Sequence, residues 1–193
     1  MSTVALTRQG TILEKVVRPS ITADVLLVVA GAAFVGLLAQ ISWTVHPFVV
    51  PFTGQTLGVL VVGSTLGLRR AVASMALYIL AGVAGVPWFA AGSHGYPSAL
   101  FGYLIGFVVA AALMSYLAGK GRDRTVSGAV GLFVLGELVI YAIGVPWLAL
   151  HYHQSLAWGI TNGLVPFLVW DIAKAVVAGT LLPASWRLVG RQD

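Results

Sequence analysis

The sequence contains no cysteine, so neither a disulfide framework nor a thiolate metal site is available to it. Charge is also scarce: only 9% of the 193 residues are Asp, Glu, Lys or Arg. A soluble domain carries about 25%, and a chain this poor in charge cannot wet its surface. That excludes a soluble enzyme and a disordered segment. What is abundant is apolar. The chain is 59% hydrophobic and its mean hydropathy is +0.94, as expected of a protein whose solvent is lipid. A net charge of +5 would suit nucleic acid in a soluble protein, but the positions of the basic residues point elsewhere.

The charges cluster. Arg8, Glu14, Lys15, Arg18 and Asp24 stand near the N-terminus, and Arg69 and Arg70 form a pair. Lys120, Arg122, Asp123 and Arg124 make a second cluster, and Arg187, Arg191 and Asp193 end the chain. No residue is charged between Asp24 and Arg69, or between Arg70 and Lys120. A helix needs about 20 residues to cross the hydrocarbon. Each gap therefore fits two crossings, and the stretch from Arg124 to Arg187 fits two more. The spacing predicts an all-α integral membrane protein, a six-transmembrane-helix bundle. Its crossings fall near 21–42, 53–68, 71–86, 98–118, 126–148 and 160–184. The second and third are short for a full span.

With six crossings, every basic residue except Lys174 falls on one side. The positive-inside bias places that side, and both termini, in the cytoplasm. No compact apolar core with a small-residue cleavage site precedes residue 20, so no cleaved signal peptide is expected. No tandem repeat or linker divides the chain. We expect a single transmembrane domain over 1–193, with 1–20 as a cytoplasmic N-terminal segment.

The three loops of the opposite side carry no charge and are rich in Gly, Pro and aromatics. They lie near 43–52, 87–97 and 149–159. Trp43, Trp88, Trp147, Trp158 and Trp186 suit an interfacial aromatic belt. The loops also suit a cap over a small organic ligand with an apolar body and a few polar atoms. Gln55 and Thr53, beside a helix start, would supply its hydrogen bonds, with Trp88 among the residues that contact it. His151 and His153 stand two apart, but with no cysteine or nearby carboxylate to complete a shell we expect no metal site.

Three charges are left over. Lys174 lies about 20 Å from either end of its helix at 1.5 Å per residue, beyond the reach of a snorkelling lysine stem. Asp171 precedes it by three residues, on the same face. Glu137 is equally deep in the fifth crossing, with Tyr141 and Gly144 on its face. Each such charge costs about 2.5–3.5 kcal/mol on insertion scales, so all three must face the bundle interior. Mutual neutralisation, a proton relay and a ligand site all fit them. In a ligand site, Asp171 would accept N–H bonds, Lys174 would donate to a carbonyl or carboxylate, and Tyr141 would add its hydroxyl or ring face.

An enzyme is not expected. The four histidines fall in the uncharged loops, and no G-x-S-x-G or H-E-x-x-H motif occurs. The absence of a Walker lysine motif means that the chain does not power transport with ATP alone. In the first crossing, Ala32 and Gly36 form a small-xxx-small pair. It fits ordinary internal packing or docking of a partner membrane protein.

Several segments resemble one known family. They are Val50-Pro51-Phe52-Thr53-Gly54-Gln55-Thr56-Leu57-Gly58, Leu66-Gly67-Leu68-Arg69-Arg70 and Gly85-Val86-Pro87-Trp88-Phe89. Gly102-Tyr103-Leu104-Ile105-Gly106-Phe107, Ile140 to Leu148, and Pro166 to Lys174 follow in order. Together they resemble BioY, the biotin-binding S-component of energy-coupling factor (ECF) transporters, over about residues 25–180. The resemblance implies a substrate-capture subunit of the cytoplasmic membrane. Such a subunit binds biotin in an outward-facing cavity and works with a transmembrane coupling subunit and two cytoplasmic ATPases. It needs no cofactor. The alternative is a solitary or proton-coupled carrier of biotin or a related vitamin. By resemblance Asp171 and Lys174 contact the ureido ring, with Tyr141 beside it, and Ala32 and Gly36 match the family's partner-docking motif loosely. The chain departs from the family where Glu137 replaces an Asn found in other members. It also has no outer Arg for biotin's carboxylate, which leaves Ser93, His94, Tyr96 and backbone N–H groups as substitutes.

Overall fold

A computed structural model describes residues 10–189. Arg8, Arg191, Asp193 and the first nine residues of the expected N-terminal segment lie outside the described residues. The chain is mostly helical. A short helix α1 (Ile12–Val16) leads into α2 (Ile21–Ala39), α3 (Gln55–Leu66), α4 (Leu68–Val83), α5 (Phe101–Gly119), α6 (Val126–His151), α7 (Leu156–Gly163) and α8 (Leu168–Val189). The predicted crossings correspond to α2, α3, α4, α5, α6 and the α7–α8 pair. Two differences stand out. Helix α1 was not expected, and the last predicted crossing is broken by a 3-10 turn at Val165–Phe167 around Pro166, since proline lacks the N–H that would continue the ladder.

Among the described residues, four helical stretches are long and apolar enough to cross a membrane: α2, α5, α6 and Leu156–Val189. Helix α3, at 12 residues, reaches about 18 Å, well short of a hydrocarbon core of about 30 Å. Apolar side chains do not point one way on the long helices. Val25, Leu26, Val29 and Leu37 of α2 are exposed, as are Val169, Ile172, Val176 and Leu181 of α8. In water these faces would be a liability; in lipid they are the solvated surface.

Small residues let the central helices approach closely. Helices α5 and α6 share the most extensive contact. A Cβ at Gly106 of α5 would lie 2.9 Å from the Ile140 Cα of α6, too close for backbone to backbone. The core around this contact holds Met75, Tyr78, Leu104, Phe107, Ala110, Ala111, Ile140 and Leu148.

The basic clusters gather at one end of the bundle. Arg70 Nη2 lies 2.5 Å from Asp24 Oδ1, and the Gly10 N–H donates to the Gly119 carbonyl at 3.0 Å. Helix α1 closes this end. Its Thr11 is buried and makes a capping box with Glu14. Gly67, at φ +85°, has no Cβ to meet the Glu14 carboxylate packed against it. The Lys15 ammonium and the Arg124 guanidinium lie 5.2 and 4.7 Å from the Trp186 ring, within cation–π range. The indole N–H of Trp186 donates to Asp123 Oδ2 at 2.7 Å. Burial pushes the Asp123 carboxyl up, and the Trp186 N–H and Arg124 charge hold it back. Trp186→Phe leaves that oxygen buried without a donor. We expect it to destabilise the protein by about 1–3 kcal/mol, read as a lower Tm in detergent, and an unchanged Tm would show that Asp123 finds another partner.

Candidate functional site

The opposite end is charge-free and open. Its loops pack through a two-stranded antiparallel ladder pairing Ser42 with Thr53 and Trp43 with Phe52. Beyond it, α3 begins at Gln55, where the chain turns inward. Beneath these loops lies a cavity with about 700 Å³ of unfilled space, counting its mouth. Its walls are aromatic at Phe89, Tyr103, Phe107, Tyr141 and Phe167, and its polar groups are Thr53, Gln55, Thr56, Ser93 and Lys174. A concave, largely apolar chamber with a few convergent polar atoms is the usual form of a small-molecule site.

The floor is a buried polar cluster built by three helices. Lys174 Nζ of α8 lies 2.7 Å from Asp171 Oδ1, one turn back on the same helix. It donates to Thr56 Oγ1 of α3 at 2.5 Å and stands 3.6 Å from Glu137 Oε1 of α6. Tyr141 donates its hydroxyl to Asp171 Oδ2 at 2.5 Å. Asp171, Lys174, Glu137 and Tyr141 are all at least nine-tenths buried. The three deep charges are therefore brought together, as their positions in the sequence required. They are not equivalent. Lys174 and Tyr141 line the cavity, whereas Asp171 and Glu137 stand behind them and face an apolar groove between α6 and α8.

A second network supports the wall. Thr53 Oγ1 donates to Gln55 Oε1 at 3.1 Å, and Gln55 Nε2 donates to the Tyr78 hydroxyl at 2.6 Å. That hydroxyl donates onward to the Trp88 carbonyl at 3.2 Å. The chain of donors fixes the amide of Gln55, a residue of the cavity wall, and leaves Tyr78 itself in the core.

Other expected site residues lie elsewhere. Trp88 is off the cavity wall; its indole N–H donates to the Tyr78 carbonyl at 2.9 Å, and its ring covers Gly36. His94 is exposed and does not line the cavity. Ser93 does line it, with its hydroxyl donating to the Ala90 carbonyl at 2.8 Å. Ala32 is fully buried and Gly36 lies against the Trp88 ring, contacts of the packing kind that this small-residue pair allows. Sequence reasoning missed Tyr103, which lines the cavity and donates to the Gly163 carbonyl at 2.9 Å. It also missed Thr56, the hydroxyl partner of Lys174. The signal for Thr56 was its place beside Gln55 at the start of α3.

Fold and site together define a helical membrane protein with a buried small-molecule chamber at its charge-free end. The chain belongs to the BioY family, whose profile matches residues 7–191. It is 32% identical over 176 residues to a biotin transporter BioY of Rhizobium etli, covering 83% of this chain and 91% of that one. It is 36% identical over 155 residues to a probable biotin transporter BioY of Pyrococcus horikoshii, covering 80% and 91%. Among solved structures, it resembles the S-component for biotin from an ECF-type ABC transporter. The TM-score is 0.76 at 19% identity, over 88% of this chain and 95% of that one, which shows a shared fold.

Proposed function

We propose that this protein captures biotin for uptake, as the substrate-binding subunit of an ECF-type transporter in the cytoplasmic membrane. The observation that carries the reading is the placement of Lys174 and Tyr141 at the floor of an aromatic cavity, in a chain of this family. Biotin has a bicyclic ureido head, an apolar body and a carboxylate tail. The ureido oxygen accepts from the Lys174 ammonium. Asp171 accepts a ureido N–H once the Tyr141 hydroxyl turns aside. The aromatic walls take the ring system, and Gln55, Thr53 and Ser93 supply the remaining polar contacts. Biotin is cargo here, not a cofactor, and no chemistry is done on it.

The six helical elements would each span the bilayer, with both termini and the basic clusters on the cytoplasmic side and the cavity mouth outside. The short α3 would be accommodated by local thinning or burial among its neighbours. The chain as one unit would bind the ligand. A coupling subunit and ATPases would supply the energy, since this chain carries no nucleotide-phosphate loop. Titration of the purified protein with biotin, dethiobiotin and thiamine tests the reading. Saturable binding of biotin, with thiamine inert, is expected. Dethiobiotin keeps the ureido head and so should compete. Equal binding of thiamine, or none by biotin, would reject the assignment.

A further inference from the structure

The floor cluster is unbalanced. Asp171 and Glu137 contribute two carboxylates, and Lys174 contributes one ammonium. Helix α6 adds Tyr141, α5 adds Tyr103 (ring centroid 6.5 Å from that of Tyr141), α3 adds the neutral Thr56, and α8 adds nothing further. None of these is a cation. Lys174 is held closely by Asp171 and Thr56, with Glu137 the more distant partner at 3.6 Å. The Glu137 carboxyl is buried to 5% exposure, and its polar neighbours are the shared ammonium of Lys174 and the hydroxyl of Thr56. On its other side lies the groove between α6 and α8, walled by Val130, Phe133, Val134 and Leu138. A second carboxylate that must share one ammonium with Asp171 in such surroundings is costly to keep ionised.

We propose that this cluster binds one proton in addition to the lysine's own, carried on Glu137, and that biotin affinity depends on it. The inference rests on the proposed function for its second half only. With Glu137 neutral, the cluster is a balanced Asp171–Lys174 pair whose ammonium can turn to the ligand. When the proton leaves, Glu137 becomes a second anion beside the same ammonium. It draws Lys174 away from the cavity and repels Asp171, so affinity falls as pH rises. A sodium ion is the other monovalent cation to weigh. It prefers several oxygen ligands, as hard cations do, and the residues beside Glu137 are apolar apart from Thr56 and the cluster itself.

Two measurements test this on the intact protein in detergent. The first is biotin affinity between about pH 6 and about pH 9, at constant ionic strength, in sodium and in choline chloride. The wild type should weaken by about fivefold or more over that range, the lower end of ordinary site–site coupling, equally in both salts. Glu137→Gln should abolish the dependence. An identical profile in wild type and variant overturns the proposal, as does a sodium requirement that the variant loses. The second needs no biotin. The chain has two glutamates, Glu14 and Glu137, so ¹³C-glutamate labelling makes the infrared carboxyl band assignable in the wild type alone. A protonated-carboxyl band at neutral pH that disappears at alkaline pH is expected. Absence of that band overturns the proton site even if biotin binds. Its presence without biotin binding upholds the site and rejects the function.

Discussion

Asp171→Asn is expected to weaken biotin binding by about a hundredfold or more, with the folded protein still recoverable in detergent. Asp171 is the closest anionic partner of Lys174, at 2.7 Å, and accepts the Tyr141 hydroxyl at 2.5 Å. Neutralising Asp171 removes both the anionic acceptor of a ureido N–H and the nearest partner of Lys174, and a hydrogen bond to a charged group is worth about 1.5–3 kcal/mol. About 1.4 kcal/mol is a factor of ten in affinity. The amide can still accept from Tyr141, so the loss falls on the ammonium, which is then drawn to Glu137 and away from the ligand. The double variant Asp171→Asn, Lys174→Met removes both charges. It should recover thermal stability relative to the single variant, yet bind no biotin. Isothermal titration gives the affinity and a melting curve gives the stability. Wild-type affinity in Asp171→Asn would show that the ureido head does not sit on this cluster.

The charge pattern made this site legible before any geometry. Once the clustered basic residues were assigned to one end of a bundle, Glu137, Asp171 and Lys174 remained, and buried charges in lipid must meet. They do, from α6 and α8. Periodicity said less about the rest. The long helices are apolar on nearly all sides because one face meets lipid and the other meets protein. The pattern that separates core from surface in a soluble helix is therefore faint. That is why the sequence left Ala32 and Gly36 open between internal packing and a docking stripe; Ala32 is buried and Gly36 lies against Trp88. It is also why Asp171 and Glu137 could not be told apart from Lys174 as cavity-lining or not. The break at Pro166 was written in the sequence, but a single predicted crossing over 160–184 smoothed it away. Helix α1 escaped notice because five residues are too few to show a period, although its Thr11–Glu14 capping box was present in the sequence. Tyr103 was hidden for another reason. Its role depends on Gly144 and Gly163, which approach it from two other helices.

That approach sets the second large effect. Gly144→Val should abolish biotin binding and destabilise the protein. A Cβ at Gly144 would lie 2.5 Å from the Tyr103 ring, and valine adds two methyl groups beyond it. Tyr103 cannot simply retreat. Its hydroxyl is tied to the Gly163 carbonyl at 2.9 Å, and Gly163 packs directly against that hydroxyl. The ring must therefore swing into the cavity it lines, losing the hydrogen bond and filling ligand space. Overpacking of this kind costs about 1–3 kcal/mol, and the lost hydrogen bond adds about 0.5–1.5 kcal/mol. Binding suffers more than stability, because a displaced tyrosine ring occupies volume that the bicyclic head requires. Trimming the obstacle separates the two effects: Gly144→Val with Tyr103→Ala should restore much of the melting temperature and part of the affinity. If Gly144→Val alone bound biotin as the wild type does, Tyr103 would not be a wall of the biotin site.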